Sequence, residues 1–170
     1  RCSGYELFKD GRSIIKTVEK VLINIIKEAI KKNIYIDDSF FTILGDGGRV
    51  DRHNHIGDLD KDSSLNLGSQ KYSLVYYLCV GDQNCKEPGI LKLYSPNEDI
   101  LPSEGMITIF PADREHSVVY NGKKDRVMIG INFYSLWIFE SIILVRILEN
   151  INYSALMFTS QLNSIGKENL

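Results

Sequence analysis

The chain has three histidines, and they fall at two points: His53 and His55 in Arg52-His53-Asn54-His55, and His116 closing Pro111-Ala112-Asp113-Arg114-Glu115-His116. Residues two apart on an extended strand point to one face, so His53 and His55 would project together from a sheet, with Asp51 behind them. A third imidazole from a neighbouring strand would complete a donor set suited to iron, zinc, manganese, nickel or copper. One such histidine is usually a hydrogen-bonded surface or core residue. All three at such positions point to a metal site.

The surrounding pattern supplies the scaffold. From Ser13 to Lys32, apolar residues recur at Ile14, Val18, Val21, Leu22, Ile25, Ile26 and Ala29, the spacing of one helix face. Asp10 and Ser13 are candidate caps and Asn33 a candidate stop. The period then changes to two. Strands are expected over 40–44, 72–80, 90–94, 106–110, 116–120 and 126–134, with 49–55 continuing or pairing with the first, and turn residues between them. Asn121-Gly122 reads as a hairpin turn, which would place His116 and Arg126 on adjacent antiparallel strands. Seven or eight short strands with no helix between them indicate an antiparallel sandwich or barrel. The leading helix would cover an outer face, and 136–150 reads as a C-terminal packing helix.

With 170 residues, 44% of them hydrophobic and 25% charged, the chain suits one soluble domain with a core at about 39–134. A net charge of -2 with interspersed signs gives no electrostatic case for nucleic acid. The apolar run from Leu136 to Leu148 is broken by Glu140 and Arg146 and is shorter than the roughly 20 residues of a membrane span. Three cysteines, too few and unevenly spaced for a disulfide framework, point to a reducing compartment, the cytoplasm. No signal-like segment stands at Arg1, although the chain does not begin with Met.

Two families of β-barrel proteins carry ligands on strands in this manner. The chain resembles the cupins in Gly47, His53 and Asp60, and in Gly105, Pro111 and His116, with Asp113 where that pattern has glycine. It resembles the iron(II)- and 2-oxoglutarate-dependent oxygenases, especially prolyl-hydroxylase-like members, more fully. The shared segments are Ser73-Leu74-Val75-Tyr76-Tyr77-Leu78, Gly89 to Tyr94, Pro102 to Gly105, Ile109-Phe110-Pro111, His116, and Arg126 to Phe133.

This resemblance implies a mainly β double-stranded β-helix, a jelly-roll or cupin-like barrel, with helical flanks. It implies an oxidoreductase using Fe(II), 2-oxoglutarate and molecular oxygen to hydroxylate a small molecule or a peptide. Arg126, ten positions past His116, would hold the distal carboxylate of 2-oxoglutarate, a role Arg suits because its fork matches a carboxylate. A surface salt bridge, for example with Asp125, is the bland reading of Arg126. Tyr76 and Tyr77 read as core, with Tyr77 a candidate cosubstrate contact. The family's third ligand is a carboxylate, and here that slot is His55. Three explanations stand open: a three-histidine centre, a carboxylate from Asp58 or Asp60, or a triad lacking one ligand. The first is favoured. The alternatives for function are a cupin-type metal enzyme that needs no 2-oxoglutarate, and an inactive barrel serving as a binding module.

Overall fold

In the computed structural model, which describes residues 6–136, the apolar periodicity near the N-terminus becomes one helix, α1, Ser13–Ile30. The expected caps are corrected. Arg12 is the N-cap and makes no side-chain cap bond, while Asp10 accepts a hydrogen bond from the Arg12 backbone N–H at 2.9 Å. The helix ends at Lys31, whose left-handed backbone (φ 57°) turns the chain before Asn33. Only Leu22 and Ile26 of α1 are buried, whereas Ile14, Val21 and Ile25 stay exposed, so the apolar arc is wider than the surface it covers.

Eight strands follow: β1 Asn33–Leu44, β2 Gly48–His53, β3 Lys71–Cys79, β4 Pro88–Leu93, β5 Glu98–Ile100, β6 Ile107–Pro111, β7 His116–Tyr120 and β8 Arg126–Leu136. They form two four-stranded sheets in the orders β1-β8-β3-β6 and β2-β7-β4-β5. The architecture is a double-stranded β-helix. Alternation along the strands gives each sheet two different faces. Leu74 of β3 with Ile129, Ile131 and Phe133 of β8 packs with Leu22 and Ile26 of α1, so the helix covers the outer face of the first sheet. Tyr77, Phe110 and Met128 point the other way, against Leu91, Leu93 and Val118 of the second sheet.

Two expected pairings are corrected by this topology. β1 and β2 belong to different sheets, so the turn at Gly45-Asp46-Gly47-Gly48 passes the chain between layers instead of closing a hairpin. The same holds at Asn121-Gly122: β7 and β8 lie in opposite sheets, and His116 and Arg126 are not on adjacent strands. Gly122 is needed there for space, since a Cβ would lie 2.2 Å from the Tyr120 hydroxyl. That hydroxyl donates to the Lys124 carbonyl and accepts from the Asp82 backbone N–H at 2.7 Å, which ties the crossing to the neighbouring loop.

The chain divides between Ser135 and Leu136, and the fold described is that of the first unit. The C-terminal helix expected over 136–150 lies outside the described residues, apart from Leu136, which ends β8. Among the described residues no helix is long and apolar enough to cross a membrane.

Candidate metal centre

The histidines meet where β2 and β7 pair. His53 and His116 are cross-strand partners, but the register shifts between Val50 and His53: Val50 pairs with Val118, leaving Asp51 and Arg52 of β2 opposite Ser117 of β7. One extra residue on β2 reverses which face its side chains take. Val50 and His53, an odd number apart, therefore both line the cavity between the sheets. β2 ends at His53, and His55 is fixed beyond it by its backbone N–H donating to the Ala112 carbonyl at 2.8 Å. The ring of His55 lies along Phe40, with centroids 6.2 Å apart.

Ring centroids of His53 and His116 are 4.3 Å apart, and His55 is 5.0 Å from each. One ring nitrogen from every histidine lies within 4.8 Å of the others, close enough to share an ion. His53 Nδ1 lies 2.8 Å from the Asp51 carbonyl and His116 Nδ1 3.3 Å from that of Arg114, which leaves Nε2 available on both rings. Burial, and then repulsion from the other imidazoles, pushes the pKa of His55 down to about 3 and that of His116 down to about 4. Both rings are neutral at pH 7, as ligation requires.

The carboxylates suggested by sequence are elsewhere. Asp51 turns outward to Arg49, and Asp58 is fully exposed beside Lys61. Asp60 is buried, but its oxygens take hydrogen bonds from Lys71 (2.8 Å), the Gly57 N–H (2.7 Å) and the Tyr134 hydroxyl (2.6 Å). It is a structural anchor for the 54–70 loop. The carboxylate that does reach the cavity is Asp38 of β1, which accepts from Asn132 Nδ2 at 2.9 Å. Burial raises its pKa against that hydrogen bond.

Asn132 of β8 also contacts His55 Nδ1 at 3.2 Å and accepts from the Ser73 hydroxyl at 2.7 Å. Sequence reasoning missed Asp38, Ser73 and Asn132. The available signal was polar side chains at alternate positions of otherwise apolar strands, which register alone turns into a cluster.

The cavity has a volume of about 290 Å³ and is walled mainly by apolar side chains, with Tyr77 at one side. Arg126 lies behind Tyr77, its guanidinium carbon 5.2 Å from the ring centroid. It is fully buried, and among the described residues Nε, Nη1 and Nη2 have no hydrogen-bond partner; beside it the buried Tyr77 hydroxyl faces that of Thr108. The salt bridge with Asp125 is therefore absent. Burial depresses the Arg126 pKa and raises that of Tyr77, yet a guanidinium stays charged in a protein. A buried fork of donors with no acceptor among the described residues fits a carboxylate, and three imidazoles with ring nitrogens this close fit a divalent transition metal.

Solved structures of oxygenases share this arrangement of strands. A prolyl-4-hydroxylase from Pseudomonas putida superposes with a TM-score of 0.56 at 17% identity, over 81% of this chain and 71% of that one. The chain has the fold of these oxygenases. A prolyl hydroxylase from Trichoplax adhaerens, solved with a hypoxia-inducible-factor peptide, gives 0.58 at 17% identity over 79% and 62%. A 2OG-Fe(II) oxygenase-family oxidoreductase from Burkholderia pseudomallei gives 0.52 at 11% over 71% of this chain, which spans 55% of that protein. No protein-family model matches the chain, and no curated protein matches it.

Proposed function

We propose that the protein is a non-haem iron(II)- and 2-oxoglutarate-dependent dioxygenase that hydroxylates a small molecule or a peptide. The observation that carries this reading is Arg126: a guanidinium with no hydrogen-bond partner among the described residues, buried in the same barrel as the three histidines. An uncompensated buried cation costs several kcal/mol and is otherwise hard to account for. His53, His55 and His116 would hold the iron. Arg126, with the Tyr77 and Thr108 hydroxyls, would bind the distal carboxylate of 2-oxoglutarate. When bound, iron and 2-oxoglutarate supply the oxidising chemistry: oxygen is consumed, 2-oxoglutarate loses carbon dioxide to become succinate, and a substrate C–H becomes C–OH. The chain's part is to orient these groups and to keep water from them with the apolar walls at Val50, Val75, Leu91, Val118 and Met128.

A histidine in place of the usual carboxylate favours a second reading, a cupin-type metal enzyme that needs no 2-oxoglutarate. Arg126→Ala separates the two. Protein loaded anaerobically with Fe(II) should develop the visible charge-transfer band of an iron–2-oxoglutarate chelate, and the variant should need about 100-fold more 2-oxoglutarate to reach it. Absence of that band and of succinate in the native protein, with iron bound normally, would exclude the oxygenase reading.

A further inference from the structure

The three imidazoles are not held alike. His53 and His116 each turn Nδ1 to a backbone carbonyl, Asp51 at 2.8 Å and Arg114 at 3.3 Å. A carbonyl only accepts, so each of these rings carries a hydrogen on Nδ1 and turns Nε2 to the site, the nitrogen a ligand needs free. The Nδ1 of His55 instead lies 3.2 Å from Asn132 Nδ2. An amide can present either a donor or an acceptor.

Two neighbours decide which end it presents. Asp38 Oδ1 accepts from Asn132 Nδ2 at 2.9 Å, so the nitrogen end of the amide faces β1. On the other side the Ser73 hydroxyl donates to Asn132 Oδ1 at 2.7 Å, directly across the β3–β8 register. The two hydrogens of Nδ2 then point to Asp38 and to His55. His55 Nδ1 becomes an acceptor, and the ring keeps its hydrogen on Nε2. Asn132 is only 3% exposed, so water does not readily substitute for these partners.

We infer that Asn132 is a positioning residue of the metal site: aimed by Asp38 and Ser73, its amide holds His55 in the tautomer protonated on Nε2 and makes His55 the conditional third ligand beside His53 and His116. The inference rests on reading the three histidines as metal ligands. For His55 to ligate through Nε2, that proton must leave while another is gained at Nδ1, and the amide must turn its oxygen to accept it. The Asp38 carboxylate opposes the turn. Asparagine at position 38 would remove the opposition, because its own amide can donate to Asn132 Oδ1 while Asn132 Nδ2 turns to the Ser73 hydroxyl.

Two-bond ¹H–¹⁵N correlation spectra of the metal-free protein at pH 7 read the tautomer of each ring. The expected result is Nδ1–H for His53 and His116 and Nε2–H for His55, with His55 changing to Nδ1–H in Asp38→Asn. Co(II) should bind Asp38→Asn about tenfold more tightly than the native protein, the scale on which outer hydrogen bonds tune metal affinity. His55 found as Nδ1–H in the native protein overturns the inference, as does a folded Asp38→Asn whose Co(II) affinity is unchanged within twofold. Should that variant not fold, the native spectrum decides alone. Native protein that binds no Co(II) would remove the metal reading itself, whereas Co(II) bound by native protein with an Nδ1–H His55 removes only the role given to Asn132.

Discussion

A guanidinium sealed among side chains with no acceptor among the described residues is a burden on the fold until an anion arrives. Arg126→Met keeps most of the apolar stem and deletes the charge, so the variant free of metal and 2-oxoglutarate should be more stable by about 1–3 kcal/mol in urea denaturation. A loss of stability would mean that the native state already satisfies Arg126. The three histidines and Arg126 were legible in the sequence because rare or charged residues stood at fixed offsets in apolar strands. Asp38, Ser73 and Asn132 were not, since short polar residues are common in strands and only the register Ser73↔Asn132 brings them together.

Elements were easier to recognise than their partners. The strand at His116–Tyr120 and the start of β8 at Arg126 fall where period-two patterning puts them. Which strands pair is a long-range matter, and Asn121-Gly122 misled because an interlayer crossing uses the same small residues as a hairpin. Asp37 and Asp38 hid the first half of β1, and β5 is only three residues long. The 54–70 loop is held by a buried ion pair that local sequence does not reveal: Lys71 lies 2.8 Å from Asp60 and 2.7 Å from Asp37, with the Asp60 side chain 1% exposed. Lys71→Met should cost about 3–5 kcal/mol by stranding Asp60.

The sign of the pH effect follows from the two pKa shifts. Burial works to raise Asp60, but hydrogen bonds from Lys71, Tyr134 and Gly57 outweigh it and the folded pKa is lowered. Its contribution is present above the unfolded value near 4 and is lost as pH falls through the folded value. Burial works to lower Lys71, but Asp37 and Asp60 outweigh it and the folded pKa is raised, so its contribution is complete below about 10.4 and is lost as pH rises through the folded value. The stability gap between native protein and Lys71→Met should be widest at mildly alkaline pH, shrink as pH falls and the stranded Asp60 of the variant takes up a proton, and shrink again as pH rises through the folded value of Lys71. A gap that widens as pH falls would show that another group carries the effect. At the opposite end of the barrel wall, Gly89 of β4 has φ +83°, and a Cβ there would stand 3.1 Å from Arg126 Cδ and Nε. Gly89→Ala should therefore weaken 2-oxoglutarate binding and leave Co(II) affinity unchanged, both read by titration.

On the scale of the whole barrel, the two sheets supply different parts of the candidate site. The second sheet and the residues just past it carry the histidines, whereas the first sheet carries Asn132, Tyr77 and Arg126. A metal and a cosubstrate bound together would link the layers, so their effects on unfolding should depend on each other. Each ligand at 100 times its dissociation constant stabilises the native state by about 2.7 kcal/mol, roughly 5–10 °C in Tm for a domain of this size. In thermal unfolding, Co(II) alone should raise Tm, and 2-oxoglutarate should add its increment chiefly when Co(II) is present, because chelation at the metal supplies part of its affinity. Arg126→Met should retain the Co(II) increment and lose that of 2-oxoglutarate. Equal 2-oxoglutarate shifts in native protein and Arg126→Met would place the cosubstrate away from Arg126 and return the three-histidine centre to the cupin-type reading.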